Sequence, residues 1–295
     1  MHLTEDYVPG PFGRTWYKIT GELKGAKPPL VILHGGPGCV HDYVASFADL
    51  TETGRAVVHY DQLGNGRSTH LREKGPDFWT VDLFLGELDR VLAHLGIAES
   101  YDLLGQSWGG MLGAEHAVRQ PPGLRKLVIA NSPASMKTWV AEANRLRQDL
   151  PPKVQATLLR HEAARTTASA EYLEAAKVYD RRHVCRIEPK PDDVVRNDRA
   201  IVDDPTVYHT MNGPTEFHVI GTMKNWTIES RLHAIIAPTL LISGRYDEAT
   251  ELCVQPFADS IPDVRWRIFE NSSHMPHLEE REACLAAVAE FLDAP

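Results

Sequence analysis

Apolar residues along the chain fall into short continuous runs separated by one-sided helical patterns. Such runs are typical of parallel strands covered on both faces, and they occupy residues 29–33, 56–60, 101–104, 127–130, 239–242 and 264–269. Residues 81–92 place apolar side chains at i, i+3, i+4 and i+7, as a helix with one buried side requires. Further helices are expected at 111–118 and about 278–292. The alternation predicts an α/β fold with a mostly parallel sheet and helices on both faces.

The alternation stops between Ser132 and Arg231. Helical spacing covers residues 141–150 and 171–179, and prolines at 151, 152, 189 and 191 break the segment into pieces. The strand pattern returns only after this segment. We therefore expect a helical cap at 133–231 inserted into an α/β core made of 1–132 and 232–295, rather than an independent helical domain.

Charge and cysteine content narrow the class of protein. The chain has 31 Lys and Arg against 40 Asp and Glu, a formal net charge of −9. Because an acidic surface repels phosphate backbones, no nucleic-acid partner is expected. No stretch approaches the roughly 18 apolar residues of a membrane span, and the first 21 residues lack a signal-peptide pattern. The four cysteines have no CxxC spacing, which is typical of reduced cytosolic thiols. We expect a soluble cytoplasmic protein, and its oligomeric state is left open.

A candidate nucleophile lies in the sequence Gly-Gln-Ser-Trp-Gly at 105–109, directly after a predicted strand. In a Gly-x-Ser-x-Gly turn between a strand and a helix, the serine hydroxyl is held above the edge of the sheet. Side chains at the two glycine positions would collide across the turn. The pattern predicts Ser107 as the nucleophile, which requires a base and an acid that orients the base.

The acid and the base are expected after the last two strands, in the chain order serine, acid, histidine. Asp247 and Glu248 follow the strand at 239–242, and His274 and His277 follow the strand at 264–269. Asp247 comes first after the turn, and His274 is nearer to its strand end. We therefore predict a triad of Ser107, Asp247 and His274, with Glu248 and His277 as the alternatives.

A glycine-rich turn, His-Gly-Gly-Pro-Gly at 34–38, follows the first predicted parallel strand. Its glycines let a backbone N–H approach an oxyanion, so we predict an oxyanion hole formed by the N–H groups of Gly36 and Trp108. His34 is expected to be a structural hydrogen-bonding residue. The turn at 61–68 lacks the spacing and lysine of a phosphate loop. No cluster has zinc spacing, so neither a metal nor another cofactor is expected.

The motifs at 34–38, 61–68 and 105–110 together resemble those of the proline iminopeptidase family of α/β-hydrolases. The tricorn-interacting aminopeptidase branch and its L-amino-acid amidase relatives are the most similar. The resemblance extends to the cap, in Met-Asn-Gly-Pro-Thr-Glu-Phe at 211–217 and Gly-Thr-Met-Lys-Asn-Trp at 221–226. It implies a cofactor-free serine hydrolase that releases N-terminal residues from small peptides, or hydrolyses amino-acid amides, through an acyl-enzyme.

The same resemblance implies that Glu216 and Glu248 bind the free α-ammonium group of the substrate and that Tyr208 lines their pocket. Desolvating an ammonium group costs several kcal/mol, so a closed site must supply carboxylates. Two positions depart from the family pattern. Asn225 stands where an aspartate is frequent, and Arg245 adds a cation near the predicted amine site.

Two other functions remain open. An esterase or lactonase acting on a small secondary metabolite would use the same catalytic groups on a different substrate. A ligand-binding protein or lyase on this scaffold would have lost or diverted the triad, whereas all three members are present here. The preferred N-terminal side chain is left open as well.

Overall fold

The computed structural model describes residues 2–294 and is built around one eight-stranded sheet. Its strands, listed in chain order, are β1 (Leu3–Gly10), β2 (Gly13–Thr20), β3 (Leu30–Leu33), β4 (Val57–Tyr60), β5 (Tyr101–Gln106), β6 (Leu124–Ala130), β7 (Thr239–Gly244) and β8 (Val264–Phe269). Their spatial order is β1-β2-β4-β3-β5-β6-β7-β8. Strands β4, β3, β5, β6, β7 and β8 pair in parallel. The predicted α/β fold with a mostly parallel sheet is confirmed.

The central strands are apolar throughout because helices cover both faces of the sheet. Every residue of β3 and β5 is buried, which explains why these strands show continuous apolar runs instead of alternation. The carboxyl ends of β3, β5, β6, β7 and β8 lie along one edge of this sheet. All predicted catalytic groups follow these strand ends, so the parallel pairing brings them to the same edge.

The sequence pattern did not predict the N-terminal hairpin of β1 and β2. The two strands pair antiparallel from Leu3 opposite Thr20 to Gly10 opposite Gly13, and β2 joins β4 antiparallel. Most side chains of β1 are exposed or half-buried. Because this edge strand has one mostly solvated face and charged side chains, it lacks the apolar run by which the other strands were found.

Ten α-helices accompany the sheet in the described residues. In chain order they are α1 (Val81–His94), α2 (Trp108–Ala117), α3 (Met136–Arg147), α4 (Pro152–Ala164), α5 (Ala170–His183), α6 (Asp192–Asp203), α7 (Thr206–Met211), α8 (Glu251–Ser260), α9 (Pro276–Glu279) and α10 (Arg281–Asp293). The side chain of Thr80 caps α1, and that of Ser169 caps α5, by accepting backbone N–H groups of the first turn. Segments of 3₁₀ helix lie at His41–Thr53, Thr222–Asn225 and Glu229–Ala234.

The single C-terminal helix expected at about 278–292 is two helices, α9 and α10. The break falls at Glu280, whose backbone is non-helical at φ −127° and ψ 50°. Its carboxylate accepts hydrogen bonds from the Asn271 N–H at 3.0 Å and the Ser272 hydroxyl at 2.6 Å. These bonds tie the break to the loop that carries the predicted catalytic histidine.

The chain between β6 and β7 forms α3 to α7, and α4 and α6 begin at or directly after prolines. These helices enclose an apolar cluster of their own that includes Leu158, Tyr172, Tyr179 and Phe217. The division into a cap at 133–231 and a core remains a prediction. Within residues 2–294, no helix has the length and apolar character needed to cross a bilayer.

Candidate active site

Ser107 lies on the turn between β5 and α2, with φ 56° and ψ −124°. Residues other than glycine rarely adopt a positive φ, and such strain persists only where the surroundings hold it. Here the Ser107 N–H donates to the Ala130 carbonyl at 2.8 Å. The Ser107 carbonyl accepts from the Ser132 hydroxyl at 2.8 Å and from the N–H of Gly110 at 2.9 Å. Hydrogen bonds to β6 and α2 therefore fix the turn.

The glycines on either side of Ser107 are required by backbone contacts. A Cβ atom at Gly105 would lie 2.0 Å from the Gly109 carbonyl oxygen, and one at Gly109 would lie 2.0 Å from the Leu33 carbonyl oxygen. Because both obstacles are backbone atoms, neither can move aside as a flexible side chain would. The Gly-x-Ser-x-Gly spacing is thus explained by how closely α2 approaches β3 and β5.

Asp247 and His274 form a buried hydrogen-bonded pair. The His274 Nδ1–H donates to Asp247 Oδ1 at 2.7 Å. Asp247 Oδ1 also accepts the Ala249 N–H at 2.8 Å, and its Oδ2 accepts the Asn131 amide at 2.6 Å. The carboxylate is therefore held from three sides, with one oxygen directed at the imidazole.

Asn131 is a residue that sequence reasoning missed. It directly follows β6, has a positive φ of 55°, and directs its Nδ2 at Asp247. The sequence offered one indication of this contact: Asn131 follows a strand whose carboxyl end lies on the same sheet edge as Ser107. The Asn131 amide thus helps to fix the Asp247 carboxylate that accepts from His274.

Ser107 and His274 line the same cavity, which has a volume of about 440 Å³. The Gln106 amide donates to the His274 carbonyl at 2.9 Å and so links the His274 loop to the residue before Ser107. Within residues 2–294 no direct hydrogen bond joins the Ser107 hydroxyl to the His274 ring. Catalytic hydrogen bonds are often long without substrate and tighten when it binds.

The surroundings of His274 favour its protonated form. Burial acts to lower the pKa of His274, but the charge and hydrogen bond of Asp247, aided by Glu216, outweigh burial and raise that pKa above its usual 6.5. An imidazolium formed during proton transfer is thereby stabilised.

The other two histidines considered from the sequence make structural contacts. His277 donates from Nε2 to the Tyr43 carbonyl at 3.0 Å and stacks on Phe47, and burial lowers its pKa to about 3. His34 accepts the Gln62 N–H at 3.0 Å, and burial lowers its pKa to about 4. Neither lines the cavity that contains Ser107.

Two backbone N–H groups beside Ser107 are free to bind an oxyanion. In residues 2–294 neither Gly36 nor Trp108 donates its backbone N–H to another protein group, and both residues line a narrow cleft together with Ser107. The Trp108 indole donates to the Gln62 side chain at 2.8 Å, and the Gly35 N–H donates to the Tyr43 hydroxyl at 2.6 Å. These bonds fix the backbone segments that carry the two free donors.

Glu216 belongs to the segment between β6 and β7, and its side chain lies in the site that contains Ser107. It lines both the narrow cleft and the larger cavity. Its carboxylate accepts the Tyr208 hydroxyl at 2.6 Å, and its carbonyl accepts the Trp139 indole N–H at 2.8 Å. Burial raises the pKa of Glu216, while the bond from Tyr208 and the nearby His274 lower it.

Glu248 is fully buried, and neither of its carboxylate oxygens has a hydrogen-bond partner in the described residues. Burial raises the pKa of Glu248 well above its usual range, and the negative charges of Glu216, Asp247 and Asp180 raise it further. A carboxylate in this setting is stabilised by a cation placed near it.

The two departures from the family pattern lie away from this pair of carboxylates. Arg245 forms exposed ion pairs with Glu270, at 2.7 Å, and with Glu251. Asn225 is exposed at the end of a 3₁₀ segment. Within residues 2–294, no set of three His, Cys, Asp or Glu side chains is arranged to hold a metal ion.

Comparison with known proteins shows which family of α/β hydrolases the chain resembles. A family model of the α/β hydrolase fold matches residues 28–281. The proline iminopeptidase of Clostridium botulinum is 36% identical over 294 residues, covering 99% of this chain and 99% of that protein. The chain belongs to the proline iminopeptidase family of α/β hydrolases.

Solved structures agree with this membership of the proline iminopeptidase family. The crystal structure of VinJ has a TM-score of 0.97 and 57% sequence identity, and 98% of each chain is covered. The proline iminopeptidase of Mycobacterium smegmatis has a TM-score of 0.91 and 52% identity, covering 98% of this chain and 97% of that one. The family identified from the sequence motifs is confirmed, and the chain is a hydrolase.

Proposed function

We propose that the enzyme is a serine hydrolase that releases the N-terminal residue from small peptides or amides with a free amino group. The observation that carries this proposal is the pair of neighbouring carboxylates Glu216 and Glu248, the first next to His274 and the second next to Asp247. One is fully buried without a partner, and the other lines the cavity that contains Ser107. Buried carboxylates without a cation are costly, so the pair is suited to an ammonium group. The relatives named proline iminopeptidase support the same conclusion.

In the proposed reaction, the Ser107 oxygen attacks the carbonyl carbon of the scissile amide while its proton passes to Nε2 of His274. Asp247 holds the imidazole in the tautomer that accepts this proton. The N–H groups of Gly36 and Trp108 stabilise the oxyanion. His274 then protonates the leaving nitrogen, and the C–N bond breaks. Water, deprotonated by His274, then attacks the acyl-enzyme. The bond from the acyl carbon to the Ser107 oxygen breaks, His274 returns the proton to that oxygen, and the N-terminal residue leaves as a carboxylate.

The position of the carboxylates favours an exopeptidase. An ammonium bound between Glu216 and Glu248 would place the first carbonyl of the substrate, and no later one, at Ser107. Tyr208 supports this arrangement because its hydroxyl holds the Glu216 carboxylate. The substrate's ammonium group and the carbonyl that Ser107 attacks then belong to the same, N-terminal residue.

We further propose that residues 133–231 act as a cap over a core of 1–132 and 232–295. Support comes from helices α3 to α7, which lie between β6 and β7, and from Tyr208 and Glu216, which reach the site from this segment. We also propose that the enzyme acts in the cytoplasm, since all four cysteines are unpaired and buried.

Glu216→Gln tests amine recognition. The variant keeps the shape of the side chain and removes one charge from a desolvated cluster, a change of about 2–5 kcal/mol. We expect kcat/KM for amides with a free amine to fall roughly 30-fold or more. N-acetylated amides, which lack the positive charge, should be nearly inert with the wild type.

The matched control is Glu174→Gln, an exposed carboxylate on the rim of the same cavity that pairs with Lys177. It should behave as wild type. Esters without an amine should be hydrolysed equally by the wild type and by Glu216→Gln. If Glu216→Gln loses esters and amides alike, Glu216 supports the fold. If the wild type prefers acetylated amides or simple esters, the esterase or lactonase function replaces the aminopeptidase.

The pH dependence of kcat/KM should have two limbs. His274 must be neutral to accept a proton, and its pKa is raised, so activity should decline as pH falls through a midpoint above 6.5. The substrate α-amine has a pKa of about 8 and binds as a cation, so activity should decline again as pH rises above that value. The rate profile with an amino-acid arylamide measures both. For an ester without an amine, the alkaline limb should disappear, and its persistence there would count against amine binding.

A further inference from the structure

The narrow cleft and the larger cavity both border Ser107 but differ greatly in size. Gly36 and Glu216 also line both spaces. The volume open to the centre of a water molecule is about 20 Å³ in the narrow cleft and about 440 Å³ in the larger cavity. Since roughly 10–15 Å³ of such volume holds one water molecule, the cleft has room for a group of about the size of a methyl.

The position of His274 decides which part of a substrate enters each space. In the proposed mechanism His274 protonates the leaving nitrogen, so this nitrogen must come within hydrogen-bond reach of the imidazole. His274 lines the larger cavity and not the narrow cleft. The leaving amine therefore extends into the larger cavity. The side chain of the N-terminal residue lies on the other side of the attacked carbonyl, where the narrow cleft receives it.

The wall of the narrow cleft is apolar and closely packed. Met111, Met136, Trp139 and Met223 line it, each is at most 5% exposed, and all four belong to the main apolar cluster. The Trp139 indole is fixed by its hydrogen bond to the Glu216 carbonyl. Among the described residues, Glu216 is the only charged one that borders the cleft. A side chain that enters should be apolar, and one larger than a methyl must displace packed neighbours at a cost in free energy.

We propose that the enzyme selects substrates whose N-terminal side chain is no larger than that of alanine, and that Met223 sets this limit. This inference rests on the proposed function and names its substrate class, which is amides with a small apolar N-terminal residue and their bulk in the leaving amine. Glycine lacks the methyl group that fills the cleft. Valine and leucine carry further carbons, for which the cleft has no room.

The first test is a series of glycyl, alanyl, valyl and leucyl arylamides with the same leaving amine. The wild type should have its highest kcat/KM for the alanyl substrate. One carbon gained or lost in an apolar pocket changes specificity by about 10–200-fold. We therefore expect the glycyl and the leucyl substrate each to be at least about 10-fold poorer than the alanyl one.

Met223→Ala tests the residue that sets the limit. The substitution removes three heavy atoms from the wall of the cleft and breaks no hydrogen bond of the side chain. The ratio of kcat/KM for the leucyl substrate to that for the alanyl substrate should rise about 10-fold or more, because the longer side chain then has room. This ratio does not depend on how much of the variant is folded, so a loss of stability leaves it interpretable.

Met211→Ala is the matched control. Met211 is buried in the same apolar cluster but borders neither the narrow cleft nor the larger cavity. Its truncation should leave the leucyl-to-alanyl ratio within about two-fold of the wild-type value, as expected for a site that acts independently. Should Met223→Ala not fold, Met223→Val, which removes less of the side chain, takes its place and should raise the same ratio.

Two results would overturn the inference and leave the proposed function intact. One is a wild type that hydrolyses leucyl or prolyl arylamide as well as or better than the alanyl one. The other is a leucyl-to-alanyl ratio that changes no more in the Met223 variant than in Met211→Ala. By contrast, a wild type that hydrolyses p-nitrophenyl acetate and none of the arylamides would overturn the proposed function itself.

Discussion

Ser107→Ala is expected to lower kcat by about 10⁴-fold or more on every substrate that the enzyme hydrolyses. The physical reason is that alanine lacks the oxygen that, in the proposed mechanism, forms the acyl-enzyme, while the free N–H groups of Gly36 and Trp108 remain. The fold should be unchanged, because hydrogen bonds through the backbone of residue 107 hold the turn. Steady-state rates and thermal unfolding of the purified variant measure the two effects.

An organophosphonate provides the control for Ser107. It should label the wild type at Ser107 and at no other serine, and mass spectrometry of the digested protein identifies the site. The variant must be prepared free of wild-type enzyme, since a trace would dominate the residual rate. Retention of even a tenth of the activity would show that another group is the nucleophile.

Asp247→Asn is expected to lower kcat by a similar factor, about 10⁴-fold. Asp247 Oδ1 accepts from His274, and the same carboxylate accepts from the Ala249 N–H and the Asn131 amide. An asparagine has one acceptor oxygen, so its amide group must face at least one of these donors. In either orientation of that amide, the imidazole loses the negative charge that raises its pKa and stabilises its protonated form.

The pH profile of Asp247→Asn distinguishes a changed His274 from an unfolded protein. Because the Asp247 charge raises the pKa of His274, the acidic limb of the residual activity should move to lower pH in Asp247→Asn. Asp263→Asn, at an exposed position before β8, is the control and should leave rate and profile unchanged. An acidic limb at the same pH in Asp247→Asn and the wild type would assign that limb to another group.

The sequence predicted those parts of the fold whose residues are buried side by side along the chain. Continuous apolar runs located β3 to β8, and Gly-x-Ser-x-Gly located the strand-to-helix turn. The order of serine, acid and histidine followed from the positions of strand ends. Each of these features leaves a local trace, either a run of apolar residues or a glycine at a fixed distance.

The features that were missed depend on contacts between distant segments. Asn131 acquires its part in the site only because β6 lies between β5 and β7, so that its amide reaches Asp247. The break at Glu280 depends on hydrogen bonds to Asn271 and Ser272. No local pattern encodes such pairings.

The crowding around Gly105 and Gly109 limits how this enzyme can diverge. Any side chain at either position would meet a backbone oxygen 2.0 Å away, so random mutation there yields inactive or unfolded protein. Leu173 and Val202, in residues 133–231, also line the cavity that contains Ser107, and because both are exposed their side chains have room to change. Directed evolution towards a new substrate should therefore accumulate its changes in residues 133–231, while the turn around Ser107 stays as it is.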